Sequence, residues 1–69
     1  MKKIRLIKLT KIYGVDDFAE IYLNVEEIES FQNAKTGHYT ILFTKGGNAF
    51  EFKETLEEII KLIESAKEI

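Results

Sequence analysis

Few residues in this chain have the types and spacing that chemistry demands. A single histidine, His38, lies in Lys35-Thr36-Gly37-His38-Tyr39. With no cysteine and no second imidazole, it has none of the partners a tetrahedral zinc site prefers. A Ser-His-Asp triad would have to recruit Ser30 or Ser65, and neither stands in the glycine-flanked turn that exposes a reactive hydroxyl. Asp16, Asp17 and Glu20 form an acidic cluster near a turn, but their spacing does not match a calcium-binding loop. Glu26, Glu27 and Glu29 read as solvated side chains. Paired carboxylates do acid–base work only in a shaped pocket, and 69 residues leave little interior for one. Gly46-Gly47 follows Thr44-Lys45 and leads into a strand. A phosphate loop would lead into a helix, so the glycines read as a hairpin turn. No catalytic, metal or cofactor-binding residue is assigned, and a non-enzymatic role is expected.

The basic residues are the next candidates. Lys2, Lys3, Arg5, Lys8 and Lys11 fall within the first thirteen positions with no acid among them, whereas Glu51 to Ile69 carries six Glu against three Lys. The net charge of −2 provides no bulk attraction to nucleic acid. Binding of DNA or RNA through the five N-terminal cations would be salt-sensitive, and it ranks below the reading of solvated charge. A basic first strand also discourages edge-to-edge aggregation. The basic strand and the acidic C-terminal segment are expected to attract each other, within one subunit or between two.

Eight aromatics, Tyr13, Phe18, Tyr22, Phe31, Tyr39, Phe43, Phe50 and Phe52, must be held by strands. Residues 4–13 read as a strand that is apolar on both faces, with Arg5, Ile7, Leu9 and Lys11 on one side and Ile4, Leu6, Lys8, Thr10 and Ile12 on the other. Gly14 to Asp17 is a turn signal. Further strands are expected at 18–23, 28–32, 39–44 and 49–53, with Val25-Glu26-Glu27 as a single helical turn between the second and third. Lys45-Gly46-Gly47-Asn48 is a hairpin turn. Thr55-Leu56-Glu57-Glu58 fits a capping box opening a helix over 55–68. Leu56, Ile59, Ile60 and Ile63 have the spacing of a core-facing stripe, and Leu62, Ala66 and Ile69 form a flanking stripe.

The expected architecture is α+β: one domain, an antiparallel β-meander of about five strands, then one C-terminal helix on the sheet. The other sheet face is left open, populated by Tyr and Thr. A chain this short buries only about 60% of its unfolded surface. Without cysteines it must gain stability from packing or oligomerisation. Self-association is therefore expected, through Leu62, Ala66 and Ile69 or, as second choice, through Tyr22 and Tyr39. No apolar run approaches the roughly 18 residues needed to span a bilayer. Arg5, Lys8 and Lys11 interrupt the N-terminal apolar residues, unlike a signal peptide, so membrane insertion is not expected and a cytoplasmic location is.

One family resemblance adds a lead. Ile7-Lys8-Leu9-Thr10-Lys11, Ile21-Tyr22-Leu23-Asn24, Glu26-Glu27-Ile28-Glu29, the hairpin Thr40 to Gly47, and Phe50 to Thr55 followed by Glu57-Glu58-Ile59-Ile60 resemble the small flagellar and swarming-motility proteins of the FlbD type. The similarity runs from about Ile7 to Ile63. The chain departs from that pattern in about six extra leading residues, in longer loops at Val15–Ala19 and Asn33–His38, and in Asn24-Val25-Glu26 where the family has an Asn-Pro-Asp-type turn. The resemblance implies a bacterial, cytoplasmic, non-enzymatic protein and carries no catalytic residues with it. The expected function is a small protein-interaction adaptor, with a motility accessory role as the finer reading. Its rival is a phage- or element-encoded protein that modulates a host protein.

Overall fold

A computed structural model describes residues 4–68. Five antiparallel strands are followed by a single helix: β1 (Leu6–Gly14), β2 (Asp17–Asn24), β3 (Ile28–Asn33), β4 (Thr40–Thr44), β5 (Ala49–Phe52) and α1 (Leu56–Ser65). A 3-10 turn, Val25–Glu27, joins β2 to β3. Asn24 caps it by accepting from the Glu26 N–H at 3.1 Å, as asparagine does where backbone amides lack partners.

The strand order is β2-β1-β5-β4-β3. Strands β3, β4 and β5 follow as a meander, and β1 then pairs β5 through Lys11 and Phe52. The strands consecutive across the 3-10 turn, β2 and β3, are thus the two edges. Five flat strands would hold those edges about 19 Å apart. A three-residue turn rising about 2 Å per residue forces them closer. The sheet must therefore curl, and its inner face becomes the core.

Register fixes which residues face inward. Ile7 lies opposite Leu23, Leu9 opposite Ile21, and Lys11 opposite Ala19; Phe52 lies opposite Thr40 and Phe50 opposite Leu42. Ile7, Leu9, Leu42 and Phe52 are buried together with Ile59 of the helix, which lies against β1 and β3. The apolar residues on both faces of β1 are thereby resolved, since Ile7 and Leu9 are buried while Ile4 and Leu6 stay exposed. Threonine was expected on the open face. Thr40 and Thr44 instead share the inward parity of Leu42 and are buried. Their hydroxyls are satisfied there: Thr40 Oγ1 donates to the Glu54 carbonyl at 2.7 Å and Thr44 Oγ1 to the Asn48 carbonyl at 3.5 Å.

Past Phe52, a side chain takes over from the strand. The Lys53 N–H donates to the Thr10 carbonyl at 3.0 Å, and the Thr10 N–H donates to Glu54 Oε1 at 2.8 Å. Glu54 thus serves β1 through its carboxylate and β4 through its carbonyl.

The helix opens with the expected capping box. Thr55 Oγ1 accepts from the Glu58 N–H at 3.2 Å, and Glu58 Oε1 accepts from the Thr55 N–H at 2.9 Å. That backbone hydrogen bond, with the Thr55 side chain second, holds the Glu58 carboxyl below its ordinary value. A lowered folded-state value stabilises the fold above the ordinary 4.5, and that contribution is lost as pH falls through the folded value. The stability gap between wild type and Glu58→Gln, followed by urea unfolding, should therefore close on acidification below that range.

The helix is rotated relative to its expected stripe. Ile59 is buried, and Leu62, Ile63 and Ala66 pack on the core, while Ile60 is exposed. The helix also stops at Ser65, short of the expected 68. Ser65 Oγ turns back onto the Lys61 and Leu62 carbonyls. Ala66 is extended, and Glu68 forms an antiparallel bridge with Arg5. Drawing the tail onto β1 brings the Leu62–Ala66 side of the helix down onto the sheet.

Gly47 closes the β4–β5 hairpin at φ +83°, with no heavy atom near an added Cβ. Its need for glycine is therefore conformational. Gly47→Ala should cost about 1–2 kcal/mol, read from a urea midpoint. Gly46→Ala, with ordinary φ and no close contact, should be near neutral.

Candidate interaction surface

The candidate chemical residues do not converge. Among the described residues no group of three or more His, Cys, Asp or Glu is placed to hold a metal ion. His38 is exposed in the β3–β4 loop, Ser30 lies on β3, and Ser65 caps the helix end. An open groove of about 390 Å³ is lined by Lys8, Glu54, Glu58, Lys61, Leu62 and Ser65. Its carboxylates already accept backbone amides, Glu54 from Thr10 and Glu58 from Thr55, so their arrangement is explained by the fold.

The basic residues do not form a stripe. Alternation along β1 puts Arg5 and Lys11 on one side and Lys8 on the other. Arg5 pairs with Glu26 at 3.3 Å and Lys8 with Glu20 at 3.2 Å. Lys11 Nζ lies 4.1 Å from the Phe50 ring centroid and 4.7 Å from that of Tyr13, within cation–π reach. Lys2 and Lys3 lie outside the described residues.

Of the apolar candidates, Leu62 and Ala66 are half-buried against the core, and Ile69 lies outside the described residues. Tyr39 is half-buried beside Glu51. By accepting the phenol's hydrogen bond, and then by charge repulsion, that carboxylate pushes the Tyr39 phenol above its ordinary value. Tyr22 is 67% exposed.

Tyr22 has company that the sequence left unassigned. Opposite pairs Lys8–Tyr22, Thr10–Glu20 and Ile12–Phe18 place Phe18 and Tyr22 on the outer face of the β1–β2 ribbon, with Leu6 on the same side. Seven large apolar side chains are exposed among the described residues: Ile4, Leu6, Tyr13, Val15, Phe18, Tyr22 and Ile60. Six of these belong to residues 4–22, and only Ile60 lies elsewhere. Lys53 Nζ sits 4.3 Å from the Phe18 ring centroid, giving this face a cationic margin. In the sequence this face was marked by Tyr22 alone, as a candidate on the open side of the sheet. Its outward sense depends on strand order.

No protein-family model matches the chain, and no curated protein or solved structure matches it significantly. No helix among the described residues is long and apolar enough to cross a membrane.

Proposed function

We propose that this chain is a non-enzymatic protein-interaction module that binds through the outer face of its β1–β2 ribbon. The observation that carries this reading is the exposure of Leu6, Phe18 and Tyr22 on that face, with Ile4, Tyr13 and Val15 also exposed at the two ends of the ribbon. Isolated apolar residues on a surface are ordinary, whereas a cluster rimmed by charge marks a contact site. Here Lys53 stands at the Phe18 end, and the Lys8–Glu20 ion pair crosses the face between Phe18 and Tyr22. The module acts in the cytoplasm as an adaptor, and the FlbD-type resemblance suggests a motility accessory role. The rival, a phage- or element-encoded modulator of a host protein, uses the same scaffold with another partner. Neighbouring genes separate the two.

The test is capture from the source cell with three baits. Wild type should retain a discrete partner. The double variant Phe18→Ser/Tyr22→Ser should lose it more than tenfold, since burying one large apolar side chain is worth about 1.5–3 kcal/mol. Ile60→Ser should behave as wild type. A partner retained by the double variant and lost by Ile60→Ser would move the site to the helix.

A further inference from the structure

The outer face of the ribbon ends at a strand edge that no other strand among the described residues covers. Among the described residues, strand β2 is terminal in the sheet and pairs with β1 alone. The parity of its backbone follows from Thr10. The Thr10 N–H donates to Glu54 and its carbonyl accepts from Lys53, both on the β5 side. Even-numbered residues of β1 thus point away from β2, and odd-numbered ones bond to it. The β2 residues opposite those odd positions, Ala19, Ile21 and Leu23, spend their amides and carbonyls on β1. Phe18, Glu20 and Tyr22 direct theirs outward.

Natural proteins blunt such edges with lysine, proline or a bulge. Strand β2, Asp-Phe-Ala-Glu-Ile-Tyr-Leu-Asn, has no lysine, arginine or proline. Its pairing with β1 is regular from Asn24 to Phe18, with the irregularity only at the turn. The other edge, β3, carries a register break between Ile28 and Ser30, which disrupts strand addition. One edge is therefore protected and the other is not.

We infer that β2 pairs antiparallel with β2 of a second copy, in a register centred on Ile21; this rests on the ribbon being the interaction site. A two-fold axis perpendicular to a sheet places each residue opposite one of the same parity, so the axis must pass through a residue. Two centres give the longest overlap of the eight-residue strand, Glu20 and Ile21. The first sets two carboxylates face to face, which is destabilising. The second sets Ile21 opposite Ile21, Glu20 opposite Tyr22, Ala19 opposite Leu23 and Phe18 opposite Asn24. The outward amides of Glu20 and Tyr22 then exchange hydrogen bonds with Tyr22 and Glu20 of the second copy. On the outer face, Tyr22 lies diagonal to Phe18 of the second copy, within reach of an aromatic side chain. On the inner face, Ile21 and Leu23, which already pack on the core, extend that core across the axis.

The register makes the test specific. Ile21 opposite Ile21 is a non-hydrogen-bonded pair, with Cα atoms about 4.5 Å apart, close enough for a disulfide. Tyr22 is offset from Tyr22 of the second copy by two residues, beyond about 7 Å. The chain has no cysteine, so single-cysteine variants report cleanly. Under mild oxidation Ile21→Cys should form a covalent dimer at least tenfold faster than Tyr22→Cys. Light scattering should give wild type twice the 8.0 kDa chain mass. Glu20→Pro should fold, by circular dichroism, because proline is tolerated where a strand amide faces outward, and it should be monomeric.

A monomeric wild type, equal crosslinking of the two cysteine variants, or a dimeric Glu20→Pro would overturn the pairing. Glu20→Pro leaves Phe18 and Tyr22 in place. If it still captures a different protein that Phe18→Ser/Tyr22→Ser loses, the ribbon reading stands without the second copy. If neither variant changes any association, the ribbon reading itself fails.

Discussion

Phe52→Ala should remove much or all of the chain's folding stability at room temperature. Phe52 is fully buried at the centre of the inner face, beside Leu9, Leu42 and Ile59. It also forms the pairing through which β1 meets β5, opposite Lys11 on one side and Thr40 on the other. Truncating a buried phenylalanine to alanine costs about 3–5 kcal/mol. A domain of this size holds on the order of 3–10 kcal/mol in total, so one substitution removes much or all of it. Urea unfolding followed by circular dichroism should show a midpoint lowered by about 2 M or more, or no folded baseline. Retention of the wild-type midpoint would mean that β5 does not hold the two halves of the sheet together.

Thr40→Val should cost about 1–3 kcal/mol, the penalty for leaving a buried polar group without its partner. The two side chains have similar shape, so the loss isolates the hydroxyl. That hydroxyl donates to the Glu54 carbonyl at 2.7 Å, and Glu54 accepts the Thr10 N–H through its carboxylate. Glu54→Gln keeps an oxygen able to accept from Thr10 and should cost less than Thr40→Val. If Thr40→Val proved neutral, the link from β4 through Glu54 to β1 would carry no stability.

Local features were legible in the sequence because local physics sets them. The five-stranded antiparallel sheet and single C-terminal helix follow from period-two runs, the Gly46-Gly47 hairpin and the Thr55–Glu58 box. The turn at Val25–Glu27 was visible in its apolar spacing. Strand order was not visible, because the pairing of Lys11 with Phe52 joins residues far apart in the chain. The face of the helix was ambiguous for a related reason. Leu56, Ile59, Ile60 and Ile63 satisfy a core stripe, and so do Ile59, Leu62, Ile63 and Ala66. The return of Glu68 to Arg5 favours the second, and nothing local to the helix encodes that contact. The same dependence hid Phe18. Whether it lies in the core or on the surface is decided by its pairing with Ile12 on the side away from Leu9. Buried Thr40 was hidden because its partner is the backbone of Glu54.

If the β1–β2 ribbon is the surface through which this protein meets others, a partner should lie within reach of Tyr22 in the cell. The most direct measurement is site-specific photocrosslinking in living source cells, with the photoreactive residue replacing Tyr22 in one strain and Ile60 in another. Both positions are exposed, so both can report. A discrete crosslinked product is expected from Tyr22, to a second copy or to another protein, and none from Ile60. A discrete product from Ile60 with none from Tyr22 would place the contact on the helix and not on the ribbon.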